Sequence, residues 1–235
     1  MDIIPQLAKE VLIVLFRGFP GHFVLVGGGA LHWIFHSPRF SADIDLKPVN
    51  PPQEDLLQRI ASVLAKKLSP VAVPLGVTIT CHADPAAQAV RIQVDGRPAL
   101  QVELVSLAPV TGKEKHLLQS DSLQSEIIVT PDIHQLLFSK AAALVKRPHV
   151  KGRDVFDIWF LQSRRAVLDA GAFTDWLKWE EIELADMQQK LKQITPSRLK
   201  ADLARFLPES IQSSLAEENY KTLIDAAQRL LQPFL

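Results

Sequence analysis

Apolar residues recur at helical spacing through residues 2–18, stop at Gly18 and Pro20, and give way to the unbroken run Phe23-Val24-Leu25-Val26. The first pattern predicts an amphipathic helix and the second a buried strand. Gly27-Gly28-Gly29 follows, where the backbone can turn sharply and approach a ligand closely, and Ala30 to His36 predicts a short helix. Asp43-Ile44-Asp45-Leu46 then alternates polar and apolar positions. A strand there puts both carboxylates on one face and buries Ile44 and Leu46 on the other. After a loop marked by Pro48, Pro51 and Pro52, the spacing of Leu56, Leu57, Ile60, Val63 and Leu64 predicts a helix to about Leu68. Val77 to Thr80, Ala89 to Val94 and Leu100 to Val105 read as strands, the last two joined by the turn Asp95-Gly96-Arg97-Pro98.

Beyond Thr130-Pro131 the pattern is helical to the end of the sequence. Thr130 suits an N-cap and Pro131 the first helical position, opening a helix to about Arg147 that Pro148 stops. Further helical segments are predicted at about 153–165, 172–192, 197–206 and 209–232. The expected fold is α+β: a head with a mixed sheet of about five strands and flanking helices over residues 1–130, then a helical domain over 131–235.

Lys plus Arg number 26 and Asp plus Glu number 26 among 235 residues, so overall charge gives no reason for indiscriminate binding to nucleic acid. A polyanion would have to meet a local patch. Cys81 is the single cysteine, which excludes an intramolecular disulfide and a cysteine-based zinc cluster and fits a reducing cytoplasm. The apolar run Val11 to Phe16 is too short to span a membrane.

Candidate chemistry gathers in the head. Asp43 and Asp45 lie roughly 6 to 7 Å apart along a strand and can hold Mg²⁺, a hard cation that shares its oxygen ligands with phosphates. Glu103, among Val102, Leu104 and Val105 on a strand that could neighbour theirs, offers a third carboxylate. The glycine run can cradle a phosphate. Each feature has a plainer alternative: a polar strand edge facing water, a solvated glutamate, a tight turn. In the helical part, Lys140 falls at the centre of the stripe formed by Ile133, Leu136, Leu137 and Leu144, so its ammonium either snorkels to water or lies buried beside an anion such as a nucleotide phosphate. An unpaired buried ammonium implies that Lys140→Met keeps or raises stability. Asp154 and Asp157, three apart, share a face with Ile158 and Leu161 and point toward Lys140 and its basic neighbours. Lys146, Arg147, His149, Lys151, Arg153, Arg164 and Arg165 form either a solvated basic face or a guide for RNA. His32 and His36 lack a third ligand and read as packing or surface residues.

In order and approximate spacing, Val26-Gly27-Gly28-Gly29-Ala30-Leu31, Arg39-Phe40-Ser41-Ala42-Asp43-Ile44-Asp45-Leu46, Lys140 to Arg147 and Arg153-Asp154-Val155-Phe156-Asp157 resemble the nucleotidyltransferases of the AbiEii/AbiGii abortive-infection toxin family. The resemblance covers roughly residues 20–165. It implies a DNA polymerase β-like head in which Asp43 and Asp45 hold Mg²⁺, Gly27, Gly28, Gly29 and Lys140 hold the triphosphate, and Asp154 organises the site; Asp157 joins the nucleotide-binding set. It also implies an NTP substrate, an RNA acceptor such as a tRNA 3′ end, and an antitoxin protein encoded alongside. The family commonly has Ser or Thr where Gly29 stands, and Ser41 is the candidate to supply the missing hydroxyl. That departure favours a second reading, a non-catalytic nucleotide-binding regulatory module. A third, an antibiotic-type small-molecule nucleotidyltransferase, calls for an acidic acceptor pocket that the basic cluster opposes.

Overall fold

The computed structural model describes residues 3–106, 110–120, 122 and 124–235. The chain forms two compact units, one of residues 1–36 and 41–131 and the other of residues 37–40 and 132–235.

In the first unit, helix α1 (Ile4–Gly18) leads into β1 (Phe23–Val26), α2 (Gly27–Trp33) and β2 (Asp43–Pro48). Helix α3 (Leu56–Leu75) is followed by β3 (Ile79–Asp84), β4 (Ala89–Val94) and β5 (Arg97–Leu104). The five strands form one mixed sheet in the order β1-β2-β5-β4-β3, parallel only between β2 and β5. Its core face is set by alternation: Leu25 pairs with Leu46, Ile44 with Val102, Val102 with Val90, and all are buried. Helices α1 and α3 pack against each other and against the sheet. The predicted helix end at Leu68 is too early, since α3 runs on through Pro70 and Pro74. Each proline removes one backbone donor, but this end of the helix is solvent-facing, and Gly76 closes it in the left-handed conformation at φ 65°.

A second, two-stranded sheet, β6 (Lys113–Gln119) paired with β7 (Ser125–Pro131), had no counterpart in the sequence reading. Strand β6 opens with the charged run Lys113-Glu114-Lys115 and buries only Leu118 along its length, so no apolar alternation announces it. Strand β7 packs on α1 and β1, and Arg17 ties its start down by donating to Glu126, Gln124 and the carbonyl of Ser125. The hairpin displaces the expected helix start. Pro131 ends β7, and Asp132 is the N-cap of α4 (Ile133–Lys146), its carboxylate accepting from the Gln135 amide at 2.8 Å.

The second unit continues with α5 (Gly152–Ser163), α6 (Ala170–Trp179), α7 (Leu184–Gln193), α8 (Pro196–Leu203), α9 (Glu209–Glu217), α10 (Lys221–Leu231) and a 3₁₀ turn at Gln232–Phe234. Helix α5 packs against α4, α8 and α10. Two predicted helices are each broken in two. Glu181 (φ 54°) separates α6 from α7, and Asn219 and Tyr220 (φ 52° and 59°) separate α9 from α10. These are left-handed residues without a glycine to announce them. Among the described residues no helix is long and apolar enough to cross a membrane.

Candidate active site

The three glycines are themselves the first turn of α2, with Val26 as N-cap, so the helix begins three residues earlier than its sequence pattern suggests. Gly27 has φ 66°, and a β-carbon placed on it would lie 2.1 Å from Oδ2 of Asp45. Both facts favour glycine: a side chain there would be strained and would have to displace the Asp45 carboxylate. The approach follows from the sheet: Val26 is paired with Asp45, so the chain leaving β1 passes directly over that carboxylate. A β-carbon on Gly29 would come to 3.2 Å from the carbonyl oxygen of Asp43, so the helix start lies against β2 at two points.

On β2, Ile44 and Leu46 are wholly buried while Asp43 and Asp45 are partly exposed on the opposite face. In-register pairing with β5 sets Gln101 beside Asp43 and Glu103 beside Asp45. Gln101 donates to Glu103 at 2.7 Å, and the Ser41 hydroxyl donates to the Asp43 carbonyl at 3.4 Å. The fold thus gathers Gly27, Gly29, Ser41, Asp43, Asp45 and Glu103 where α2 starts. Among the described residues no three His, Cys, Asp or Glu side chains form a ready metal cluster. A cation at Asp43 and Asp45 would complete its shell with phosphate oxygen and water, as Mg²⁺ ordinarily does.

The helical unit holds a separate charged network. Lys140 is buried, its side chain 10% exposed, and Nζ lies 2.7 Å from Oδ2 of Asp157 and 3.5 Å from Oδ1 of Asp154. The snorkelling alternative is therefore excluded, and the ammonium has protein carboxylates as counterions. Arg39 meets Asp157 in a two-point fork, Nε to Oδ1 at 2.7 Å and a terminal nitrogen to Oδ2 at 2.9 Å. Burial alone would raise the pKa of Asp157; the charges of Lys140 and Arg39, with their hydrogen bonds, outweigh it and hold the carboxyl below the usual range. Arg147 approaches Oδ2 of Asp154 at 3.3 Å, an ion pair in which that oxygen gains no hydrogen bond. Arg39 was quoted in the sequence motif without a role; its partner lies 118 positions away.

The rest of the basic cluster is partly engaged. Lys146 bridges to Glu180, Arg153 lies over the ring of Phe206 at 5.8 Å, and Arg164 over Phe160 at 5.3 Å. Burial, then the neighbouring Arg153 and Arg147, lower the pKa of Lys151.

The family model described as "Nucleotidyl transferase AbiEii toxin, Type IV TA system" matches residues 13–233. The chain belongs to this family. It is a nucleotidyltransferase of the AbiEii toxin type. A crystal structure of a candidate nucleotidyltransferase from H. pylori is similar over 98% of this chain and 94% of its own, at 19% identity and a TM-score of 0.54, which shows the shared fold. JHP933 from Helicobacter pylori aligns over 97% and 90% at 18% identity with a TM-score of 0.49. No curated protein matches. In this AbiEii chain, Gly29 has a packing reason. A side chain there must push against the backbone of β2, so the departure from Ser or Thr accompanies a close fit between the helix start and Asp43. Ser41, the candidate substitute, has its hydroxyl turned to the Asp43 carbonyl.

Proposed function

We propose that the protein transfers a nucleoside monophosphate from an NTP to a hydroxyl of RNA, such as a tRNA 3′ end, in a Mg²⁺-dependent reaction, as the toxin of a pair whose antitoxin is encoded beside it. The observation that carries the reading is the seat of Asp45: its carboxylate occupies the space over Gly27 that a side chain would fill. An acidic group held against a helix start would be unremarkable as a cap. Here the backbone adopts the left-handed conformation that glycine takes without strain, and Asp43 stands on the same face.

Asp43 and Asp45, with Glu103 next to Asp45, are hard oxygen donors that suit Mg²⁺. When bound, that ion would acidify the attacking hydroxyl and offset charge on the phosphates. The acceptor oxygen forms a bond to the α-phosphorus as the bond to the departing pyrophosphate breaks, and no covalent enzyme intermediate is needed. First-turn amides of Gly27, Gly28 and Gly29 have no partner within α2 and supply backbone donors to phosphate oxygens. Lys140 would neutralise triphosphate charge, with Asp154 and Asp157 fixing the ammonium in place. The basic residues Arg147, Lys151 and Arg153 suit an RNA polyanion.

The test is incubation with each labelled NTP, Mg²⁺ and total RNA, using wild type, Asp43→Asn and Asp45→Asn. Label should enter RNA with wild type only, with melting temperatures unchanged. Turnover in either variant at the wild-type rate, or label that never reaches RNA, would overturn the reading.

A further inference from the structure

The far end of α2 faces a cavity unrelated to the carboxylates. It has a volume of about 590 Å³ and is lined by Lys9, His32, Trp33, His36, Lys115 and His116, with apolar and amide neighbours from β6. No carboxylate lines it among the described residues, and Glu114 reaches Nε2 of His116 at 3.3 Å. Two lysines and three histidines thus stand around one hollow whose described lining holds no acid. The walls are also aromatic. His32 meets the Trp33 ring edge-on at 4.4 Å, and Phe35 meets His116 at 5.2 Å.

We propose that this cavity binds a phosphorylated nucleoside, either a free nucleotide or one unit of the RNA strand that accepts the transferred group. The size suits such a ligand, since small-molecule sites span roughly 300 to 1,000 Å³. Lysine and imidazole groups recognise the phosphate, while ring faces and edges recognise the base without selecting its identity. Helix α2 has seven residues, so at a rise of about 1.5 Å each its two ends stand about 10 Å apart. A strand seated in the cavity would present a neighbouring nucleotide at Asp43 and Asp45. That part of the inference rests on the transfer reading above; the affinity for phosphorylated nucleosides does not.

The experiment measures binding of a fluorescent oligoribonucleotide, of AMP and of a polyglutamate peptide to wild type, Lys115→Gln and Lys115→Arg. Lys115 is exposed on β6, so neither substitution endangers the fold. Loss of one charged contact should weaken binding about five- to tenfold in Lys115→Gln, with recovery in Lys115→Arg. In the transfer assay, KM for RNA should rise in step while kcat holds. An equal loss for AMP and oligonucleotide identifies the free nucleotide as occupant; a loss confined to the oligonucleotide identifies the strand. Wild-type affinity of Lys115→Gln for both, or polyglutamate binding as tight as RNA, overturns the proposal. If wild type transfers nothing to RNA but AMP binding still depends on Lys115, the transfer reading fails and the cavity assignment stands.

Discussion

Replacing Lys140 with methionine separates two views of this residue, because an unpaired buried ammonium is a liability and a paired one is a support. The structure pairs it, at 2.7 Å with Asp157 and 3.5 Å with Asp154. In Lys140→Met, Asp157 keeps its two-point contact with Arg39, but Asp154, 1% exposed, loses the Lys140 ammonium that donates to its Oδ1. Removing one partner of a buried ion pair costs about 3 to 5 kcal/mol. Arg39 still serves Asp157, which argues for the lower figure, and the methionine recovers about 1 kcal/mol of apolar burial. A net loss of about 2 to 3 kcal/mol should lower the melting temperature by roughly 5 to 10 °C in a chain of this length. This reverses the expectation from the helical wheel, which treated the ammonium as unpaired. Thermal melts and urea titrations of wild type, Lys140→Met and Lys140→Met/Asp154→Asn provide the check, the double variant recovering part of the loss through coupling. A single variant as stable as wild type would refute the pairing argument. Titration with NTP and with the matching nucleoside then isolates any phosphate contact, which predicts a larger loss for the triphosphate.

Gly27→Ala should cost about 1 to 2 kcal/mol in backbone strain and displace the Asp45 carboxylate, with transfer falling on the order of 100-fold; a variant of unchanged rate would detach Asp45 from the chemistry. Asp157 has a folded pKa below its ordinary value of about 4, so its ionisation contributes stability that is complete above that pH and is lost as the pH falls through the folded value. Urea titrations from pH 6 to pH 2 should therefore show the gap between wild type and Asp157→Asn closing on acidification, whereas a constant gap would sink the argument. Burial pushes the Cys81 thiol up to about 11, so alkylation at pH 8 should be far slower than for a free cysteine; modification at the free-thiol rate would contradict that environment.

The head was legible where a short-range pattern carried the information. Alternation at Asp43 to Leu46 gave the strand and its partly exposed carboxylates, and the other strands of the main sheet announced themselves by apolar runs or by the Asp95-Gly96 turn, except that β3 lies at Ile79–Asp84 and shares only Ile79 and Thr80 with the predicted Val77 to Thr80. The hairpin of Lys113–Gln119 and Ser125–Pro131 was hidden because its first strand opens with a charged run and its burial comes from packing by α1 and β1 on the second. Helix breaks at Glu181 and Asn219-Tyr220 were hidden because left-handed backbone usually advertises itself through glycine. The wheel placed Lys140 in the core and Asp154 and Asp157 facing inward, but it could not supply Arg39, a contact made across half of the sequence. Gly27 was read as part of a sharp turn that lets the backbone approach a ligand; that its missing side chain makes room for Asp45 required the pairing of Val26 with Asp45.

The helical unit is not one continuous length of polypeptide, because residues 37–40 belong to it while the chain on either side belongs to the sheet. A protein cut or recombined at the 131/132 junction would look like a clean exchange of halves. The downstream fragment would nevertheless arrive without Arg39, leaving the fully buried Asp157 with Lys140 as its remaining cation, and without the backbone donor that Phe40 gives to Phe206. A helical tail exchanged at that junction should therefore keep its stability only when residues 37–40 are exchanged with it.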